Sequence, residues 1–211
     1  MNDTDPIHAL RDVWLRPRRV FRALSKQPIG YLDYILAAAQ GVAGCTIFTF
    51  QTPEMRAVAW NIIALVPIAG VFGALFYTLI YTRLGARVGG SGKREEIFHI
   101  LAYSGVPQVA ALLLWILTFL VLGEAPWLDK PGSEVDGFVW IVARIQFGIS
   151  VFLFAWSYLL QVMGFSEIFG LNVRKSLALW MLGQLVCALV VFFLLMFLAV
   201  LFPQLLPKPP G

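Results

Sequence analysis

Polar side chains able to do chemistry gather at one place in an apolar chain. His99, Tyr103, Ser104 and Gln108 flank Pro107. A proline inside a helix removes the N–H that would bond the carbonyl four residues earlier, here that of Tyr103. Polar groups around a freed carbonyl could line a path for a small polar solute. Pro67 has the same consequence for the carbonyl of Ile63 but lacks polar company. Arg144 is the one basic residue inside an apolar run, where a charge costs upward of ~2.5 kcal/mol unless it snorkels or pairs. Glu167 stands near Arg174 and Lys175 and is expected to bridge to them. Tyr103, Ser104, Pro107, Gln108, Arg144 and Glu167 are therefore the candidate functional residues. Asp33 reads as a carboxylate in the first turn of a helix, where the dipole favours it. No HExxH, GxSxG, phosphate loop or Cys/His cluster occurs, so no catalytic residue, cofactor or metal is expected. Gly89-Gly90-Ser91-Gly92-Lys93 lacks the Lys-Ser/Thr ending of a phosphate loop and reads as a flexible turn.

The elements that must hold these residues follow from composition. Hydrophobic residues make up 59% of the chain and charged residues 13%, with a mean hydropathy of +0.78. A soluble domain carries about 25% charged residues on its surface, so this surface faces lipid. Apolar runs cover about 31–50, 57–81, 97–122, 138–164 and 177–202. Each meets or exceeds the ~20 residues that cross a bilayer as a helix. Backbone groups in lipid must bond internally, which selects helices. The expected fold is all-α: a bundle of five transmembrane helices with an N-terminal interfacial amphipathic helix.

Charge gives the orientation. Arg11, Arg16, Arg18, Arg19, Arg22 and Lys26 precede the first run, Arg83, Arg87, Lys93 and Arg94 follow the second, and Arg174 and Lys175 follow the fourth. The alternate segments hold only Arg56, Lys130 and Lys208. Lysine and arginine mark the cytoplasmic side, so the N-terminus is inside and the Pro-rich tail outside. The net charge of +4 is explained by topology, and nucleic acid is not an expected partner. Three parts result: a basic segment 1–28, a five-helix domain 29–203 and a tail 204–211. Within the first, Pro17 breaks one helix or starts a second. Trp14, Val20, Phe21 and Leu24 with Arg18, Arg19 and Arg22 suit a helix lying on anionic lipid at the inner face.

Small residues recur four apart as Ala37/Gly41, Ala69/Gly73 and Gly70/Ala74. They predict close packing of spans one and two. Whether that packing is within a monomer or across a homo-oligomer is open at this level. The acidic loop 123–136 matches no EF-hand spacing, and Cys45 and Cys187 form no framework.

Three stretches carry a family resemblance. Trp14-Leu15-Arg16-Pro17-Arg18-Arg19-Val20-Phe21-Arg22 precedes the first span. Gly89-Gly90-Ser91-Gly92 leads into Glu95-Glu96-Ile97-Phe98-His99-Ile100-Leu101-Ala102-Tyr103-Ser104-Gly105-Val106-Pro107. Trp156 to Gly164 continues as Phe165-Ser166-Glu167-Ile168-Phe169-Gly170-Leu171, with Ala178 opening the last span. In this order they resemble the YIP family of five-span membrane proteins, named for interaction with Ypt/Rab small GTPases. The resemblance implies a helical membrane protein with a cytoplasmic N-terminus. Eukaryotic relatives act in vesicle traffic and have a longer cytosolic part. With about 28 residues there, this chain looks more like the short prokaryotic members, in the cytoplasmic (inner) membrane, and a small GTPase partner does not carry over. The family brings no catalytic residue.

The expected function is a non-enzymatic membrane scaffold or adaptor organising partner membrane proteins or lipids. The alternative is a small channel or transporter with a polar path around the span-three proline kink, using Tyr103, Ser104, Gln108 and Arg144. A polar path continuous across the bilayer would favour the second.

Overall fold

The computed structural model describes residues 6–49, 64–123 and 137–201. They form eight helices and no strand among the described residues. These are α1 (Pro6–Asp12), α2 (Pro17–Leu24), α3 (Tyr31–Thr49), α4 (Val66–Arg87), α5 (Arg94–Ser104), α6 (Val106–Leu122), α7 (Gly137–Phe169) and α8 (Val173–Leu201). The first outside loop, the acidic loop and the Pro-rich tail of the sequence reading lie outside the described residues. Among the described residues, four helical stretches are long and apolar enough to cross a membrane: Val66–Arg87, Arg94–Leu122, Gly137–Phe169 and Val173–Leu194.

Local chemistry sets the helix ends. Pro17 opens α2 in its first turn, where a missing N–H costs nothing. Pro67 likewise stands in the first turn of α4, while Ile63, whose carbonyl it was expected to free, lies outside the described residues. At α5, Glu96 reaches back to accept the Lys93 N–H at 2.8 Å, and the two acids of its first turn suit the helix dipole. Gly170, at a φ of 64°, ends α7 in the left-handed conformation that glycine adopts without strain.

α3 lies along α4 and α6, α6 packs on α7, and α8 packs on α4 and α7. The contact of α3 with α4 is backbone to backbone. A Cβ added at Gly41 would sit 2.6 Å from the Gly70 Cα, and one at Gly70 would sit 2.6 Å from the Ala37 carbonyl oxygen. The small residues thus close an interface within one chain. Gly73 takes no part, since a Cβ there meets nothing within 4 Å. On the other side of the bundle, Gly183 leaves room for the Tyr81 ring. The Tyr81 hydroxyl donates to the Trp180 carbonyl at 3.1 Å.

The most deeply packed region is one end of the bundle, not its middle. Val13, Val20, Phe21 and Leu24 from the N-terminal helices join Ile97, Ile100, Leu160 and Phe165 in one buried cluster. Mid-bundle, many apolar side chains such as Phe152, Leu185 and Phe193 are exposed. That pattern suits surroundings of hydrocarbon, where exposure of an apolar group carries no penalty.

Candidate functional site

Two polar assemblies stand out: one joins α3 to α5, and the other sits where α5 and α6 meet α7. The first pairs residues remote in sequence. Asp33, in the first turn of α3, and His99, on α5, are both buried, at 3% and 2% exposure. His99 Nδ1 lies 2.6 Å from Asp33 Oδ1, and His99 Nε2 lies 3.2 Å from the Gln27 carbonyl oxygen. A carbonyl only accepts, so Nε2 carries a hydrogen and donates it. The Nδ1–Oδ1 contact then holds one shared proton, at the short distance typical of charge-assisted bonds. Asp33 Oδ2 also accepts the Gly30 N–H at 2.8 Å. One carboxylate thus caps α3 and binds α5, while the imidazole ties down the 25–30 turn. The dipole reading of Asp33 holds but was incomplete. Depth along the helices was the available signal, since both residues lie close to the basic segments that flank their helices. The Gln27 carbonyl, a backbone group, left no sequence signal.

The second assembly sits at the break between α5 and α6. The break falls at Gly105, one residue after Ser104, with Pro107 buried in the first turn of α6. Ser157 of α7 donates to the Ser104 carbonyl at 2.6 Å and accepts from Gln108 Nε2 at 2.9 Å. The Ser104 hydroxyl turns back to the Leu101 carbonyl at 3.1 Å. The carbonyl held by a side chain is therefore that of Ser104, whereas the expectation was Tyr103. The Tyr103 ring is buried nearby, against His99 at a centroid distance of 6.5 Å. Sequence reasoning missed Ser157, because a serine within an apolar helix carries no distinguishing signal.

Arg144 does not join this assembly. It lies thirteen residues before Ser157 on α7, about 20 Å along the axis, and is exposed on the helix surface. Glu167 is placed elsewhere as well. Arg22 Nε and Nη2 converge on its Oε1 at 2.7 and 2.6 Å. The expected bridge to Arg174 and Lys175 is thus corrected: the partner is Arg22 on α2. Its approach is fixed by the apolar residues Val20, Phe21 and Leu24, which are buried against α5 and α7. Phe21, at 1% exposure, faces protein rather than lipid, and Trp14 is half-buried at the edge of the same cluster. The lipid-facing expectation for this apolar side is corrected accordingly, because α5 and α7 offer it a packed surface. Arg18 and Arg19 are exposed on the opposite side.

The glycine-rich turn has a packing reason. Cβ atoms at Gly90 and Gly92 would lie 2.5 and 2.7 Å from atoms of the Phe169 ring, and one at Gly85 would overlap the same ring. The turn wraps an aromatic side chain at the end of α7, so the reading of a merely flexible turn is replaced.

The order of these elements matches a known domain: the family model described as Yip1 domain covers residues 11–202. The chain belongs to the Yip1 domain family. The match takes in α2, the glycine turn, the α5–α6 break and the end of α7, where α2 meets Glu167 and the glycine turn meets Phe169. Comparisons with curated proteins and with solved structures gave no match. The Yip1 domain and its apolar helices make the protein an integral membrane protein.

Proposed function

We propose that this Yip1 domain protein is a non-enzymatic membrane scaffold, holding partner membrane proteins and anionic lipids on a basic platform at its cytoplasmic end. The observation that carries this reading is the fixed seat of α2. Its apolar side is buried, Arg22 is tied to Glu167, and Arg16, Arg18 and Lys26 are turned outward. Exposed Arg83, Arg87, Lys93, Arg94, Arg174 and Lys175 flank turns at the same end, which Phe169 joins through the glycine turn. Each basic residue near an anionic surface contributes about 1 kcal/mol. A platform held in place loses less entropy on binding than a flexible arm.

The reading includes five crossings, with α3 as the first because it lies along α4 and α6. The N-terminus is then inside, the C-terminus outside, and the membrane is a prokaryotic inner membrane. A reporter active only outside should work after Gly211 and fail at Gly92.

The scaffold is tested with the full chain purified in its native lipids. Reversing Arg16, Arg18 and Lys26 to Glu should reduce retained anionic lipid, seen by mass spectrometry, by up to roughly 100-fold in affinity for three such charges. Crosslinking in the native membrane should lose partner proteins in the same variant. Unchanged lipid and unchanged partners would refute the platform.

A further inference from the structure

We infer that α6 and α7 enclose a hydrated polar seam, a binding site for ordered water that reaches from the Ser157 cluster toward the end of the bundle away from α2. The register follows from two contacts. Gly164 packs on Ile100, and Ser157 bonds Gln108 and Ser104, so α7 runs antiparallel to α5 and α6. Seven residues on from Gln108 is Trp115, and seven back from Ser157 is Ser150. Two helical turns thus bring Trp115 and Ser150 to one level, about 10 Å from the Gln108–Ser157 bond. Gln146 is one turn beyond.

Both α7 residues lie on the buried side of the helix, Gln146 at 3% exposure and Ser150 at 1%. The Gln146 amide nitrogen, its amide oxygen and the Ser150 hydroxyl are buried with no hydrogen-bond partner among the described residues. These are three of five such atoms, and they stand one turn apart on one face. A primary amide offers two donors and an acceptor, and the hydroxyl adds a donor and an acceptor. Left dry in hydrocarbon, such groups are too costly to persist. Neither residue is charged, which favours a neutral ligand that both donates and accepts. Water meets that need, since a buried water makes about three bonds to polar groups otherwise unpaired. The seam stops at the Ser104–Gln108–Ser157 bonds, below which Ile100, Leu160 and Phe165 are packed without exposure. The site goes beyond the scaffold reading and does not depend on it.

The test uses the full chain in its membrane, in a Cys45→Ala/Cys187→Ala background. A small water-soluble thiosulfonate reagent, whose sulfur is attacked by the ionised thiol to give a mixed disulfide with loss of sulfinate, is added to both sides. Ser150→Cys should react at least tenfold faster than Ile145→Cys and Phe152→Cys, whose positions bracket it and are exposed on the outer surface of the bundle. Adding Gln146→Leu should slow the Ser150→Cys reaction severalfold. Reaction no faster than at the two control positions overturns the seam, and a rate indifferent to Gln146→Leu removes Gln146 from it. Where Ser150→Cys fails to insert, radiolytic hydroxyl labelling of the unaltered protein in nanodiscs replaces it. Trp115 is then oxidised above the level of Phe152 after correction for intrinsic reactivity, and oxidation at or below that level overturns the inference.

Discussion

Replacing His99 by Ala should be among the most damaging single changes to the fold, and adding Asp33→Asn should recover at least ~1 kcal/mol of the loss. In the intact protein Asp33 Oδ1 meets His99 Nδ1 at 2.6 Å and Oδ2 meets the Gly30 N–H at 2.8 Å. Removing the imidazole leaves a carboxylate at 3% exposure with the Gly30 bond only. Breaking a buried pair from one side costs about 3–5 kcal/mol. The Gln27 carbonyl also loses its donor, though its place in a turn lets water replace it. Asp33→Asn keeps the Gly30 bond and substitutes a neutral contact to His99, so its own loss is near the ~1 kcal/mol of an ordinary hydrogen bond. In the double variant no buried charge is stranded, and the loss should fall at least 2 kcal/mol short of the sum, within the coupling seen for residues in contact. Reversible unfolding in mixed micelles, run on all four proteins, gives the cycle. A shift on the order of 10 °C in melting temperature is expected for His99→Ala, from 2–4 °C per kcal/mol in domains of this size. Equal damage by Asp33→Asn, with additive losses in the double variant, would refute the shared-proton pair.

The bend at Gly105 is held from α7, so Ser157→Ala should destabilise by about 1–3 kcal/mol by leaving Gln108 and the Ser104 carbonyl unpaired. Pro107→Ala should cost less, and the reverse order in unfolding titrations would place the support in α6 itself. Gly41→Leu should push α3 from α4 and cost at least ~1–3 kcal/mol as overpacking, whereas Gly73→Ala should be neutral or stabilising by up to about 1 kcal/mol; thermal melts of the pair decide this. Arg22→Glu should loosen α2 and speed proteolysis between residues 13 and 30. Because Arg22 is 69% exposed, the equilibrium loss should stay near 1 kcal/mol or below. Adding Glu167→Arg should slow cleavage again, and no recovery would mean that apolar packing alone seats the helix.

The sequence alone determined the environment and the helices. Hydrocarbon admits few charges and no unpaired backbone, so composition and run length point directly to membrane helices, and loop charges give an expected orientation. The end marked by Pro17 was also local, because caps act within one turn, whereas the caps at Glu96 and Gly170 were recognised only in the structure. Tertiary structure decided which polar groups meet. Asp33 and His99 are 66 residues apart and Arg22 and Glu167 are 145 apart, and no local rule joins them. The apolar side of α2 suited lipid and protein equally by pattern, and only the surface offered by α5 and α7 chose protein. Pro67 and Pro107 are alike in sequence. Each stands in the first turn of a helix, and only the tertiary structure shows that Ser157 bonds across the break beside Pro107. Gly90 and Gly92 read only as a flexible turn until the Phe169 ring showed what their missing side chains, and that of Gly85, leave room for. Local propensity acts over a few residues, whereas a buried partner is set by how whole helices pack.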